Sequence, residues 1–355
     1  MKAKVKTSEI IKGLKTCVNA TDARDDIRSC VMFSATDGCM KISASNSLYS
    51  ISCTCNAEVD EEGFAVVEGK TVYSFVSKAS DNCSFNSTDV ALVIKGCGKA
   101  TIPNIGREIP MVESASGKHV TCDSVAFREA VNKIKYAISE DQARIILTGA
   151  HFVTDGSFAT ITALDGFRLA QTVFPCDGDC IDIVIPSRTL SDVCDSITSG
   201  SLDIFANASH MTFAYGDYYF NSILLSGNYV DTKRIIPSDF KAKALANTAD
   251  IKNMIELAMV ASGKNNLVKM SFAHDRMHFS SNDTSAFEGD IDTMYDGDDL
   301  EIAFNLKYLS HAISHITTEK CVIRLNSNVN PAVITPHSNE TVPDIHLLLP
   351  VRTFS

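Results

Sequence analysis

The feature that most constrains this chain is a pattern that recurs three times, at an interval of about one domain. Three segments read as strand, polar turn and strand, and each ends on Asp or Asn. They are FSATDGCMKISASN (33–46), FVTDGSFATITALD (152–165) and MSFAHDRMHFSSND (270–283). Their turn aspartates, Asp37, Asp155 and Asp275, are 118 and 120 residues apart. Repetition at a fixed spacing of this size is typical of several copies of one domain.

A second marker gives the same interval. Lys70, Arg188 and Lys307 each open a stretch with helical apolar spacing, and they are 118 and 119 residues apart. Two unrelated markers with one period predict three domains, each large enough for its own core, at 1–117, 118–240 and 241–355. Periodicity predicts an α+β fold with two helices in each domain. The six candidate helices lie near 7–20, 69–79, 123–138, 187–198, 248–262 and 305–317.

The octet ALDGFRLA (163–170) lies near the middle of the chain. Apolar alternation before it predicts a strand, and Asp165-Gly166 predicts a turn, because Gly tolerates positive φ and Asp hydrogen-bonds its own turn. Phe167 and Leu169 then alternate with polar residues, so the strand resumes. Taken alone, this pattern is typical of ordinary structure as well as of a functional site. Further upstream, Asp141–Arg144 predicts a polar loop that leads into a strand at 145–147.

Three motifs in the same order resemble those of the bacterial replicative sliding clamps. The octet is similar to their T-D-G-H-R-L-A, the segment 229–237 (YVDTKRIIP) to their F-P-D-Y-R-R-V-L-P, and 349–352 (LPVR) to their M-P-M-R. The chain differs from the family pattern at Leu164, Phe167, Val230 and Thr232, and its tail runs on through 353–355. With the triple repeat, the resemblance covers the whole chain.

The resemblance implies three DNA-clamp domains, with two helices on antiparallel sheets in each, that assemble head-to-tail as a homodimeric ring around double-stranded DNA. It implies partners, namely DNA polymerase, clamp loader and repair proteins, that bind a pocket through a short linear motif. The implied pocket residues are Leu147, Leu164, Gly166, Phe167, Arg168, Leu169, Val230, Arg234, Ile235, Leu347, Leu349 and Val351. The implied dimer interface involves Cys97, Ile102, Val260 and Ala261.

The net charge of −11 is unusual for a protein that binds DNA by contacting phosphates. The six candidate helices nevertheless carry 10 Lys/Arg and 7 Asp/Glu, which leaves the excess negative charge elsewhere. This difference is compatible with chance and also with basic helices that line a hole, and the resemblance favours the second interpretation. The predicted DNA-facing residues are Lys12, Arg24, Lys70, Lys78, Lys133, Gln142, Arg144, Arg188 and Lys307.

Other functional classes receive little support. No run of ~18 apolar residues predicts a membrane span, and twelve cysteines without a signal peptide predict reduced thiols in a cytoplasm. The resemblance further implies a protein associated with the nucleoid. The spacing from Gly63 to Gly69-Lys70 does not fit a phosphate-binding loop. Cys176 with Cys180, and His311 with His315, have metal-like spacings but lack partner ligands, so we expect no metal and no cofactor.

Two alternatives stay open at this stage. One is an enzyme on a repeated scaffold, although no nucleophile, base and oxyanion constellation is recognisable, and we expect no enzymatic activity. The other is a phage- or plasmid-encoded clamp relative that sequesters replication partners without encircling DNA.

Overall fold

The computed structural model describes residues 1–22, 27–46, 48–263, 265–282, 285–338 and 344–352. Six α-helices lie within these ranges. They are α1 (Thr7–Ala20), α2 (Gly69–Val76), α3 (Ser124–Ile134), α4 (Ser187–Ser196), α5 (Thr248–Ala261) and α6 (Leu306–Ser314). Short 3-10 segments cover Lys135–Ala137, Gln142–Thr148 and Thr232–Arg234.

The strands fall into three groups along the chain. The first group is β1 (Lys2–Lys6), β2 (Cys30–Thr36), β3 (Cys39–Ser45), β4 (Tyr49–Asn56), β5 (Glu58–Glu61), β6 (Gly63–Glu68), β7 (Asn82–Ser87), β8 (Ala91–Lys95) and β9 (Lys99–Pro103). The second group is β10 (Lys118–Asp123), β11 (Gly149–Thr154), β12 (Phe158–Leu164), β13 (Arg168–Gly178), β14 (Asp182–Pro186), β15 (Ser201–Ala206), β16 (His210–Tyr215) and β17 (Tyr218–Ile223). The third group is β18 (Ala242–Asn247), β19 (Leu267–Ala273), β20 (Arg276–Asn282), β21 (Ala286–Asp296), β22 (Leu300–Asn305), β23 (Lys320–Leu325), β24 (Ala332–Pro336) and β25 (Ile345–Leu348).

The order of elements is the same in all three groups. A strand leads into a long helix, several strands follow, a second helix comes next, and three strands end the group. All six candidate helices form, and the mixed helix and antiparallel-strand architecture confirms the predicted α+β class. Each helix follows a strand directly, and the capping side chain is often the last strand residue. Asn305, for example, accepts hydrogen bonds from the N–H groups of Lys307 and Tyr308 at the start of α6.

By compactness the chain divides into two units. The first comprises Met1–Arg128, Thr154–Ser157 and Pro175–Ser226, and the second comprises Glu129–Val153, Phe158–Phe174 and Gly227–Ser355. The predicted domain boundaries at 117 and 240 are based on the interval of the sequence repeat, whereas the two compact units are based on which residues pack together. The three-domain division therefore stays a prediction.

The first unit contains two antiparallel sheets. One has the strand order β5-β1-β7-β8-β9. The other runs β6-β2-β3-β4-β17-β16-β15-β10, and in it Cys53 of β4 lies opposite Tyr218 of β17. This pairing joins the first and second groups of strands in one sheet, so neither strand is left as an unpaired edge.

The second unit also contains two antiparallel arrays, and they share β21. One runs β13-β25-β24-β23-β18-β21, and the other runs β22-β19-β20-β21. Helices α5 and α6 pack side by side and place Ile251, Ile255, Leu309 and Ile313 in the core between these arrays. Burial of such side chains contributes about 25 cal/mol for each Å² of apolar surface removed from water.

One predicted strand is wrong. Residues 145–147 belong to the 3-10 segment Gln142–Thr148, and β11 begins only at Gly149. The physical reason is local capping, because the Asp141 carboxylate accepts a hydrogen bond from the N–H of Ala143 and starts a helical turn there. The apolar run Ile145–Leu147 is consistent with either structure.

Candidate functional site

The turn at Asp165–Phe167 connects β12 to β13, as predicted, and it is held by one carboxylate. Asp165 Oδ1 accepts hydrogen bonds from the N–H groups of Phe167 (2.9 Å) and Arg168 (3.1 Å). Gly166 has φ of +95°, a conformation that L side chains rarely adopt. A Cβ atom at Gly166 would also lie 2.9 Å from Arg144 Nη1, so the guanidinium would have to move, but the positive φ is what favours glycine here.

The last strand of the chain lies beside this turn. Leu169 of β13 pairs with Leu347 of β25, and the N–H of Leu349 donates to the carbonyl oxygen of Phe167 over 2.9 Å. The N–H of Val351 in turn donates to the carbonyl oxygen of Ala303 over 2.8 Å. Two motifs that are about 180 residues apart in sequence are therefore neighbours in the second unit.

An apolar cluster forms the floor of the candidate pocket. Leu147, Leu164, Leu169 and Leu347 are buried in it together, and Ile235 packs against it while partly exposed. The structure thus brings five of the predicted pocket residues into one apolar cluster, and mainly apolar side chains are typical of the lining of a binding site.

The remaining predicted pocket residues lie at the rim or outside the floor. Phe167 is 57% exposed, and Val230, Leu349 and Val351 are all close to 40% exposed. Arg234 pairs with Asp231, their Nε and Oδ2 atoms 3.1 Å apart, in the short 3-10 segment, with a side chain that is 87% exposed.

Sequence reasoning missed several members of the floor. They are Ile146, Tyr229, Ile236, Phe240, Val333 and Ile345. Tyr229 and Ile236 belong to the 229–237 motif, whose apolar positions could have indicated them. Val333 has no comparable signal, because it reaches the cluster through the pairing of β24 with β25, where it lies opposite Leu347.

Arg168 occupies a different environment from the other predicted pocket residues. Its side chain is only 11% exposed, and its Nε lies 2.8 Å from Asp165 Oδ2. Its guanidinium lies over the rings of Tyr308 (4.5 Å) and Tyr136 (5.2 Å), and its Nη1 is 2.6 Å from His311 Nδ1. The guanidinium is therefore engaged within the unit, and it does not face open solvent as a free ligand.

Arg144 also contacts the turn. Its Nη2 donates to the carbonyl oxygen of Asp165 over 3.1 Å, and its Nε lies 3.2 Å from Asp141 Oδ2. The backbone hydrogen bond from Ala143, together with Arg144, holds the pKa of Asp141 below its usual value. The side chain predicted to face DNA thus supports the turn at Gly166. Gln142, at the start of the same 3-10 segment, is exposed.

The other predicted DNA-facing residues lie mostly on helices. Lys12, Lys70, Lys78 and Lys307 are exposed on α1, on α2 and just beyond it, and on α6. Arg24 lies outside the described residues.

Like Arg144, two further predicted basic residues have partners within the protein. Lys133 Nζ lies 2.8 Å from Asp344 Oδ2. Arg188 Nη2 donates to the carbonyl oxygens of Asn19 and Thr21, both over 3.2 Å, and so caps the C-terminal end of α1.

The predicted interface residues divide into exposed and buried pairs. Cys97 is exposed and Val260 is 88% exposed, whereas Ile102 and Ala261 are buried within the protein. Cys97 lines an apolar cavity of about 260 Å³ together with Phe75 and Ile94.

The structure gives no support to the metal-like spacings. Cys176 lies opposite Cys122 in the pairing of β10 with β13, and the cysteines of the described residues form no disulfide. Within the described ranges, no group of three or more His, Cys, Asp or Glu side chains is arranged to hold a metal ion. In the same part of the chain, every helix is too short or too polar to cross a membrane.

The chain is similar in sequence to known proteins. The sequence model described as DNA polymerase III beta subunit, central domain, matches residues 121–231, and that of the C-terminal domain matches 233–352. The beta sliding clamp of Staphylococcus epidermidis (strain RP62A) is 26% identical over 314 residues, which cover 84% of this chain and 82% of the relative. That of Streptococcus pneumoniae (strain TIGR4) is 28% identical over 306 residues, with 82% and 81% covered.

A solved structure has the same fold. The DNA polymerase III beta subunit of Thermotoga maritima superposes with a TM-score of 0.93 at 23% identity, over 99% of this chain and all of that chain. Two matched domain models, relatives covered over about four fifths of their length and a shared fold lead to one conclusion. This chain belongs to the family of DNA polymerase III beta subunits, the bacterial sliding clamps.

Proposed function

We propose that this chain works as a sliding clamp, which encircles duplex DNA without sequence preference and tethers DNA polymerase, clamp loader and repair proteins through a short linear motif. The apolar cluster beside the Asp165–Phe167 turn is the observation that carries this proposal. The function requires no catalytic step, and it places the protein in the cytoplasm, at the nucleoid.

The candidate pocket suits a peptide that carries apolar anchors. Its floor consists of buried leucines, and its rim carries Phe167 and Leu349, which are exposed enough to cover an incoming side chain. Linear motifs that bind in this manner obtain most of their affinity from a few apolar side chains placed in a preformed site. Arg168 contributes by shaping the rim, because its guanidinium is already engaged by Asp165 and His311.

Peptide titration tests the pocket. An acetylated and amidated Gln-Leu-Ser-Leu-Phe peptide is expected to bind the wild-type protein, and the Phe167→Ala variant lacking residues from Leu349 onward is expected not to bind. Phe158→Ala is a matched control, because Phe158 is 51% exposed but lies outside the apolar cluster. Unchanged affinity in the doubly altered protein would reject this pocket.

Enclosure accounts for the charge of the chain. Phosphate contacts carry no sequence information and weaken steeply with salt, whereas a strand that passes through a closed ring cannot leave sideways. A few lysines, such as Lys12, Lys70 and Lys307, then provide enough contact with the phosphates, although the net charge of the protein is −11. A ring that bound phosphates tightly would not slide.

A head-to-tail homodimer would supply the ring. Three similar domains in each chain give six around the circle, and heterologous contacts close when the rotation between subunits permits it. The cavity lined by Phe75, Ile94 and Cys97 presents an apolar surface, and the end of α5 presents the exposed Leu257 and Val260. We propose that these two surfaces meet in the dimer, because each leaves apolar area in water that a partner subunit would cover.

Retention on DNA tests enclosure. After loading by a clamp loader, we expect the protein to remain on nicked circular DNA in high salt and to leave linear DNA by its ends. Equal loss from both substrates, with peptide binding intact, would instead mean that the protein sequesters partners without encircling DNA.

A further inference from the structure

Arg168 is held from four sides, and its neighbours belong to separate elements of the second unit. Asp165 contacts its Nε, Tyr136 and Tyr308 flank the guanidinium, and His311 Nδ1 lies 2.6 Å from Nη1. Tyr136 comes from the 3-10 segment after α3, whereas Tyr308 and His311 come from α6. These four contacts restrict the conformations that the Arg168 side chain can adopt.

We propose that His311, supported by Tyr136, is a positioning residue for the peptide pocket, and that it keeps Arg168 in place only while its own imidazole ring is neutral. This inference rests on the proposed peptide-binding function. It goes beyond that function by making partner binding dependent on the protonation of one side chain outside the pocket.

The path from Arg168 to the rim is short. Asp165 bonds the Arg168 side chain through one carboxylate oxygen and the N–H groups of Phe167 and Arg168 through the other. The Phe167 ring stacks on Tyr308 with ring centroids 6.0 Å apart. Displacement of the Arg168 guanidinium would therefore disturb both supports of Phe167, namely the turn carboxylate and the ring beneath it.

The chemistry of the contact requires a neutral His311. A guanidinium only donates hydrogen bonds, so His311 Nδ1 has to accept with its lone pair. A protonated imidazole has no lone pair and would place a second cation against Arg168. The other groups around His311 do not offset this repulsion: Lys307 on the same helix is also cationic, Tyr136 is neutral, and the Asp165 carboxylate is already bonded to Arg168.

The direction of the titration follows from the same surroundings. Burial, and then the positive charges of Arg168 and Lys307, lower the pKa of His311 from its ordinary value. The neutral form therefore predominates above pH ~6.5, the ordinary value for histidine, and the protonated form gains only as the pH falls below it. Peptide affinity is expected to be constant above this pH and to decrease below it.

His315 provides a matched control on the same helix. Its ring stacks on Tyr136 with centroids 5.0 Å apart, and burial, followed by Lys135, lowers its pKa as well. His311, one turn earlier, contacts Arg168 directly, whereas His315 stacks on Tyr136. The pKa of both histidines is thus lowered, but the proposed contact belongs to His311.

The test is calorimetric titration of the acetylated and amidated Gln-Leu-Ser-Leu-Phe peptide, which has no ionisable group, at pH 7.5, 6.5 and 5.5. In the wild-type protein we expect the affinity to fall between pH 7.5 and 5.5 by about three- to tenfold, within the limit of about tenfold per pH unit for one coupled proton. His311→Gln keeps an acceptor for Arg168, so we expect wild-type affinity at pH 7.5 and no decrease at pH 5.5. His315→Gln should retain the wild-type profile.

His311→Lys places a permanent cation beside Arg168, and we expect it to bind weakly at every pH. Circular dichroism at pH 5.5 verifies that each variant is folded. A flat profile in the wild-type protein, or an unchanged slope in His311→Gln, would overturn the inference while leaving the pocket intact. Failure of the wild-type protein to bind the peptide at pH 7.5 would instead reject the proposed function itself.

Discussion

The main-chain N–H of Leu349 donates a hydrogen bond to the carbonyl oxygen of Phe167 over 2.9 Å. This bond holds the backbone at Leu349 against the turn after β12, so the two exposed apolar side chains of the rim project from adjoining backbone. The rim therefore depends on both residues, because this hydrogen bond joins the backbone segments from which their side chains project.

The Leu349→Pro substitution tests this bond. Proline has no N–H, so we expect it to remove the contact with Phe167 in addition to the leucine side chain. Leu349→Ala, which keeps the N–H, separates the two effects. We expect Leu349→Pro to bind the peptide more weakly than Leu349→Ala by about 0.5–1.5 kcal/mol, the usual net contribution of one hydrogen bond. Equal affinities in the calorimeter would show that the bond does not shape the rim.

Gly166→Ala should damage stability and binding together. The φ of +95° is unfavourable for alanine, and the added Cβ would meet Arg144 Nη1 at 2.9 Å. We expect a loss of about 1–3 kcal/mol in the free energy of unfolding of the second unit, measured by denaturant titration, with weaker peptide binding. Gly98→Ala is the control, because a Cβ atom there has no neighbour within 4 Å. If Gly166→Ala changed neither the free energy of unfolding nor the peptide affinity, the turn would be able to adopt another backbone conformation at little cost.

Stability should decrease in mild acid because of His346. Its ring is 1% exposed with Nδ1 2.8 Å from the Tyr136 hydroxyl, and burial lowers its pKa to about 4. The unfolded chain binds this proton near pH 6.5, so the stabilisation is complete above that value and is lost as the pH falls from 6.5 towards 4. The loss reaches at most about 3 kcal/mol.

Thermal unfolding between pH 7.5 and 4.5 measures this effect. We expect His346→Asn, which keeps an acceptor near Tyr136, to have a lower Tm at neutral pH but a shallower decrease in acid. His274→Asn alters an exposed histidine with positive φ, a conformation that asparagine tolerates, and should leave the pH slope unchanged. A slope that is equally steep in His346→Asn would assign the acid sensitivity to other groups.

Val260→Asp should weaken the proposed dimer. Val260 is 88% exposed at the end of α5, and a carboxylate there could not enter the apolar cavity near Phe75 without losing its hydration. We expect the wild-type protein to sediment as a dimer at micromolar concentration and Val260→Asp to sediment mainly as a monomer. Val329→Asp, at another exposed valine of the same unit, should remain dimeric. A monomeric wild-type protein would remove the proposed interface.

Local structures that depend only on neighbouring residues could be predicted from the sequence. The Asp165-Gly166 turn forms as expected because a carboxylate, two N–H groups and one glycine suffice to build it. The six helices form because their apolar spacing is helical over eight residues or more. The strand expected at 145–147 is wrong because three apolar residues do not distinguish a strand from a 3-10 turn, and the cap from Asp141 decided between them.

The sequence by itself determined the threefold repeat, the α+β class and the family, because each depends on spacing along the chain. Only the tertiary structure decided which partners the charged and apolar side chains have. Arg168 contacts His311, and Arg188 hydrogen-bonds to carbonyl oxygens at the end of α1. Val333 packs in the pocket floor, whereas Ile102 and Ala261 are buried. The reason is that strand pairing and helix packing bring together residues far apart in sequence, and the periodicity of one segment contains no information about its neighbours in space.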